Sequence, residues 1–270
     1  MQINNLTERQ SFDTHFNYIR CLSTLMSGAE LRYKRKCNPS SIPSVNMKEN
    51  IIKLTAKSLK DEYEIVQIDN NYSYASTSWL PVKSYYLIFN LLLTIDYLLK
   101  LQENVFQLTH SACVEEFTRK LKKGELEFSE KILNQVFDRT IINYREQVGA
   151  NLSTNVDLNR MFKMSMRKVA NYKLEEWKRK NKINLRTHAG RVEIENYLNK
   201  FSISIFEFPY MMRIRANYRD FAFIDGIEPI ETAQYFNKYY LFTKEFTLAL
   251  MKVKKSLESF RTKNKRLNTF

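Results

Sequence analysis

WLPVKSYYLIFNLLLTIDYLLKL, residues Trp79–Leu101, is the stretch on which the fold turns. Past Pro81, apolar side chains point in nearly every helical direction: Tyr85, Leu87, Ile88, Phe89, Leu91, Leu92, Leu93, Ile95, Leu98 and Leu99. A helix that is apolar all round is buried on most of its faces. Pro81 suits the first turn of such a helix, where its missing N–H costs nothing. A membrane span is the rival reading, but Lys83, Asn90, Asp96 and Lys100 interrupt the run too often. The stretch is therefore expected to be the central helix of a soluble bundle with no membrane partner.

The flanking sequence supplies helices to cover it. Thr7-Glu8-Arg9-Gln10 has the form of a capping box, and Phe12, Phe16, Ile19, Leu22, Leu25 and Met26 follow at helical spacing. That helix should end near the basic residues Arg32, Lys34, Arg35 and Lys36, ahead of the loop CNPSSIPSV. A second helix is expected from about Met47 to Lys60, then a short strand over Glu64–Ile68. Beyond the central helix, Thr109 can cap a helix carrying Cys113, Val114, Phe117 and Leu121, with Gly124 at its left-handed end. Ser129-Glu130-Lys131 reads as the start of another helix with Ile132, Leu133, Val136, Phe137 and Ile141 on one side, before a break at Gly149-Ala150-Asn151. Glu231 to Arg266 reads as one long helix. Only five glycines and five prolines in 270 residues agree with long helices and short connections. The fold class is all-α, a single helical domain over residues 1–270.

Charge narrows the partners. The net charge is +14, which points to a polyanion such as nucleic acid, a nucleotide or an acidic protein. The excess is densest between Arg160 and Arg191, where Lys163, Arg167, Lys168, Lys173, Lys178, Arg179 and Arg186 surround Tyr172 and Trp177. These cations suit sequence-independent phosphate contacts, and the aromatic rings suit base stacking. Ordinary helix packing would place Met161, Met164, Val169, Tyr172 and Trp177 in the same pattern. Three widely spaced cysteines, Cys21, Cys37 and Cys113, and no basic-then-apolar leader fit a reduced, cytoplasmic setting.

Motif chemistry is sparse. There is no glycine-rich phosphate loop, no HExxH and no clustered Cys/His set, so no metal site or cofactor is expected. Arg9 and His15 are five residues apart, a spacing that does not put them on one helix face. Arg213-Ile-Arg-Ala-Asn217-Tyr218 is the informative run. Arg213 and Asn217 share a helix face and can converge on one phosphate or base, Arg with a planar donor fork and Asn with an amide. The bland alternative pairs Arg213 with a core carboxylate such as Asp96 and packs Tyr218 beneath the central helix.

Four stretches in order carry a family resemblance. Ser84-Tyr85-Tyr86-Leu87-Ile88-Phe89-Asn90 resembles the SAYYAMFHA signature of HEPN domains, and Thr109-His110-Ser111 is similar to the Thr-His step that opens the next helix in the subgroup encoded beside minimal nucleotidyltransferases. Arg213 to Tyr218 resembles that subgroup's Arg and Ala-Asp-Tyr step, and Glu231-Thr232-Ala233 the start of its last helix. The resemblance covers residues 75–137 and 207–258, leaving 139–206 as a basic insertion. It implies a HEPN-like helical bundle that dimerises and binds or cleaves RNA, often in toxin–antitoxin or antiviral defence, with a cognate antitoxin or nucleotidyltransferase as partner. Ribonuclease members carry a histidine four to six residues after the arginine. Here Asn217 and Tyr218 stand there instead, and Asn90 replaces the family's histidine on the central helix. Asn carries no proton near neutral pH and Tyr titrates near about 10. The expectation is an RNA-binding protein with a degenerate site. The alternatives are a metal-independent ribonuclease toxin, using Arg213 with His110 or Tyr218, and a module that docks an acidic protein.

Overall fold

A computed structural model describes residues 2–34, 46–99, 108–146, 154–218 and 222–267. Cys37, the CNPSSIPSV loop and the Gly149–Asn151 break lie outside these residues, as do the side chains of Thr7 and Tyr218. The described residues form eight α-helices: α1 (Gln2–Met26), α2 (Asn46–Ile68), α3 (Ser73–Leu99), α4 (His110–Lys122), α5 (Asn155–Lys180), α6 (His188–Asn199), α7 (Glu207–Tyr218) and α8 (Pro229–Leu267). Two three-residue strands, β1 (Leu31–Tyr33) and β2 (Leu126–Phe128), pair antiparallel with Leu31 opposite Phe128. The expected all-α class holds.

α3 is the centre. It packs most extensively on α8 and also meets α2, α7 and α4, while α1 and α5 close the far side. By length and composition it could cross a membrane, yet 78% of its most apolar window is buried inside the fold. Pro81 does not sit in its first turn. The helix starts at Ser73, after a 3-10 turn capped by the Asp69 carboxylate, so Pro81 lies eight residues in and is buried. The side chains of Ser76 and Thr77, one turn earlier where the proline's missing N–H leaves the ladder open, are also buried, and their hydroxyls have no hydrogen-bond partner.

Three further expectations are corrected. Glu64–Ile68 is the last part of α2, not a strand, because Ile52, Leu59 and Val66 recur every seven residues and bury one helical face. The helix expected after Ser129 is two 3-10 turns, Lys131–Asn134 and Arg139–Asn143. Two local locks divide it: the Asn134 amide both donates to and accepts from the Phe128 backbone, and Asp138 caps the second turn through the Thr140 N–H. Phe137 between them bridges Ile203. Lastly, α1 starts ahead of Thr7, which therefore lies inside the helix and does not cap it.

Helix ends that were legible have the expected chemistry. The Thr109 hydroxyl accepts from the Ala112 N–H at 3.3 Å. At the other end of α4, Gly124 has φ of +67°, and its N–H and that of Glu125 return to the carbonyls of Leu121 and Lys120 at 3.0 Å. The basic insertion shares the bundle's core: Met161, Phe162, Met166, Val169 and Ala170 of α5 belong to the same apolar cluster as α3 and α8. α5 turns into α6 at a tight corner. There a Cβ on Gly190 would lie 2.1 Å from the Asn184 carbonyl oxygen. Gly190→Ala is expected to push that corner apart at a cost of roughly 1–3 kcal/mol, read as a lower urea midpoint with unchanged m-value.

Candidate functional site

Arg213 projects from α7 toward α3. Its guanidinium lies 5.4 Å from the ring centres of both Tyr85 and Tyr86. Two faces of cation–π contact hold it there. It makes no ion pair with a described carboxylate, Asp96 included, and its buried Nε has no hydrogen-bond partner. The neutral packing alternative for Arg213 therefore lacks its counter-charge.

His110 occupies the same cluster. As the first residue of α4 it is positioned by the Thr109 cap, and its Nδ1 lies 2.8 Å from the Tyr85 hydroxyl. Its ring packs 4.2 Å from Phe89 and runs nearly parallel to Tyr210 at 6.5 Å. Tyr85 and Phe89 sit one helical turn apart on α3, Tyr210 and Arg213 one turn apart on α7, so two helices build the pocket around the start of a third. Burial lowers the His110 pKa below its ordinary value of 6.5, and the nearby Arg213 lowers it further. The imidazole is thus neutral at neutral pH. Burial pushes the Tyr85 phenol up, so its proton stays in place and it can orient His110.

Other expected site residues are distributed differently. Asn217 is exposed on α7, one turn from Arg213. Asn90 is buried and donates to the Tyr86 carbonyl at 2.7 Å, which leaves it as internal helix packing. Lys173 is drawn inward, 3.4 Å from the buried Glu207 carboxylate and 3.1 Å from the Ser202 carbonyl, so it is no phosphate contact. Arg179 is held by a two-pronged pair with Glu176. Trp177 stacks on Tyr197 at 4.2 Å, pinning α6 to α5 with one face of its indole. Arg167 reaches the Ile142 carbonyl at 3.4 Å, and Lys163 lies over Tyr144. Lys163 also lines a cleft of about 560 Å³ with Glu130, Glu146 and Arg160. The two carboxylates make that cleft a poor phosphate groove. Lys178 and Arg186 make no ion pair among the described residues, and Lys168 lies over Tyr172 at 5.1 Å.

Arg9 and His15 serve separate purposes, as their spacing indicated. Arg9 binds Glu231 through two hydrogen bonds, tying α1 to α8, whereas His15 is buried against Tyr172. What the sequence hid is the meeting of His110 with Arg213, 103 positions later in the chain, because only tertiary packing creates it. Among the described residues no group of three or more His, Cys, Asp or Glu side chains could hold a metal ion. No protein-family model, curated protein or solved structure matches the chain.

Proposed function

We propose that the chain is a HEPN-like protein that binds RNA across the α3–α4–α7 face and cleaves it without a metal, with His110 and Arg213 as the catalytic residues. The observation that carries this reading is the convergence on Tyr85 of the His110 imidazole and the Arg213 guanidinium, which has no ion pair among the described residues. The four stretches that resemble the family lie on α3, α4, α7 and α8, and α3 packs on each of the other three, with the Ser84 hydroxyl of α3 accepting from Thr243 of α8 at 3.0 Å. The net charge supplies the long-range attraction for a polyanion.

The chemistry follows from the two groups. Neutral His110 accepts the proton of an RNA 2′-hydroxyl as that oxygen attacks the adjacent phosphorus. Arg213 neutralises the charge that builds on the phosphate oxygens, and the departing 5′-oxygen takes its proton from water. The products are a 2′,3′-cyclic phosphate and a 5′-hydroxyl end. Exposed Asn217, with Lys178 and Arg186, which make no ion pair among the described residues, extends the contact surface. A cytoplasmic homodimer held in check by a cognate antitoxin or nucleotidyltransferase belongs to the same reading.

A labelled structured RNA incubated with the protein in chelator tests it. Cleavage is expected, with His110→Ala and Arg213→Ala each lowering the rate about 10²-fold. Because His110 is lowered by burial and by Arg213, the rate should rise with pH below 6.5 and level off above it. Binding without cleavage would retain an RNA-binding protein with a degenerate site. Absence of both, with a stoichiometric acidic protein co-purifying instead, would replace this reading with partner docking.

A further inference from the structure

Between the opposite side of α7 and α5 lies a pair of cations. Arg215, two residues past Arg213, faces α5, where its guanidinium lies 4.6 Å from the ring centre of Tyr172. Lys168 reaches the same ring from α5, with its Nζ 5.1 Å from the centre. Two positive charges are therefore gathered around one phenol. Neither makes an ion pair or hydrogen bond with a described acidic residue. Glu175, two turns along α5 from Lys168, is the acidic group whose field acts on Lys168, and it makes no ion pair with it.

The ring they share is fixed from below. The His15 Nδ1–H donates to the Ser11 carbonyl at 2.8 Å, which makes Nε2 the acceptor for the Tyr172 hydroxyl at 3.2 Å. His15 in turn stacks flat on Phe223 at 4.4 Å, with Tyr18 at its edge. All four of these neighbours are uncharged, so among the described residues Glu175 alone offsets the two cations, and it does so from a distance. Both remain partly exposed while Tyr172 and His15 are buried. Like charges brought together on a rigid, neutral base repel, and an anion arriving from solvent removes that repulsion. Arg offers a planar fork to tetrahedral oxygens, and Lys adds a point charge.

We propose that Lys168 and Arg215 form a phosphate-binding site on Tyr172, separate from the Arg213–His110 pair and independent of whether that pair cleaves RNA. The phosphate can belong to a nucleic-acid strand crossing the end of α7 or to a free mononucleotide. Both present the same tetrahedral oxygens to the same two cations.

Inorganic phosphate is the probe. Equilibrium dialysis at constant ionic strength, with chloride as the balancing anion, should find one saturable phosphate per chain. The His15 ring resonances should move as the site fills. Lys168→Met with Arg215→Gln should weaken binding at least tenfold, whereas Lys168→Arg and Arg213→Ala should leave it within twofold. The single variant Lys168→Gln serves if the double variant melts early. Phosphate binding no better than chloride, or binding untouched by the double variant in a folded protein, overturns the proposal. The source is read from an RNA oligonucleotide. A salt slope shallower by about 0.7 in the double variant assigns the site to a strand phosphate. An unchanged slope, with adenosine monophosphate displacing the inorganic phosphate, assigns it to a free nucleotide.

Discussion

Lys173→Met is expected to destabilise the fold by about 3 kcal/mol at pH 8, the largest single-residue effect outside the apolar core. Glu207 is only 1% exposed, and among the described residues Lys173 is the one cation within ion-pair distance of it. Removing that cation strands a carboxylate in the interior. The cost falls at the lower end of what a broken buried pair carries because Glu207 keeps other donors. It accepts from the Ser204 N–H at 2.7 Å and from the Thr118 hydroxyl at 3.0 Å. Burial raises the Glu207 pKa above its ordinary value, and Lys173 opposes that rise. Without Lys173 the folded state holds the Glu207 proton to still higher pH than the unfolded chain does. The stability gap between wild type and variant should therefore widen as pH rises, and urea unfolding at pH 5 and pH 8 measures it. A gap below about 1 kcal/mol at pH 8 would show that Glu207 does not depend on Lys173. Adding Glu207→Gln to the variant should restore part of the loss, since the neutral amide needs no counter-charge.

His15 should make the protein acid-sensitive. Burial, with the fields of Lys168 and Arg215 adding to it, pushes the imidazole down from 6.5 to about 4. Unfolding exposes a ring that takes up a proton below about 6.5, so the unfolded state binds more protons across that window and stability falls as pH falls through it. The shift is worth on the order of 3 kcal/mol, fully present above pH 6.5 and lost on approaching pH 4. His15→Gln keeps a polar group near Ser11 and Tyr172 but cannot titrate. The difference in unfolding free energy between wild type and variant should shrink by most of that amount between pH 7 and pH 4.5. A constant difference would mean that His15 takes up its proton over the same pH range in the folded and unfolded states, so that burial does not shift it.

What could be read from the sequence was whatever depends on near neighbours. α3 announces itself by apolar residues on every face, α4 by Thr109 and Gly124, and α8 by its long stripe ending in basic residues. What escaped depends on partners far along the chain. Leu31–Tyr33 is too short to show a period of two, and it becomes a strand only because Leu126–Phe128 arrives beside it. Ile132 to Ile141 has helical spacing, but Asn134 and Asp138 bind the backbone locally and stop a helix from running through. The site divides in the same way. Helical spacing linked Arg213 to Asn217, yet the group that shares the Tyr85 ring with Arg213 is His110, delivered by the packing of α4. The basic run was visible as composition, whereas its sorting was not. Lys173 and Arg179 are neutralised by Glu207 and Glu176, and Lys168 is left to share an aromatic ring with Arg215.

The packing of α3 against α8 also bears on synthesis. A ribosome extending the chain at about 5–20 residues per second releases the most apolar helix roughly ten seconds before the helix that covers it most. During that interval Leu91, Leu92 and Ile95 can be screened by α2, by α4 and α7 as they emerge, and by whatever waits at the tunnel exit. Early chaperone engagement, and inclusion bodies when translation outruns it, are the expected behaviour of a chain whose keystone is placed last.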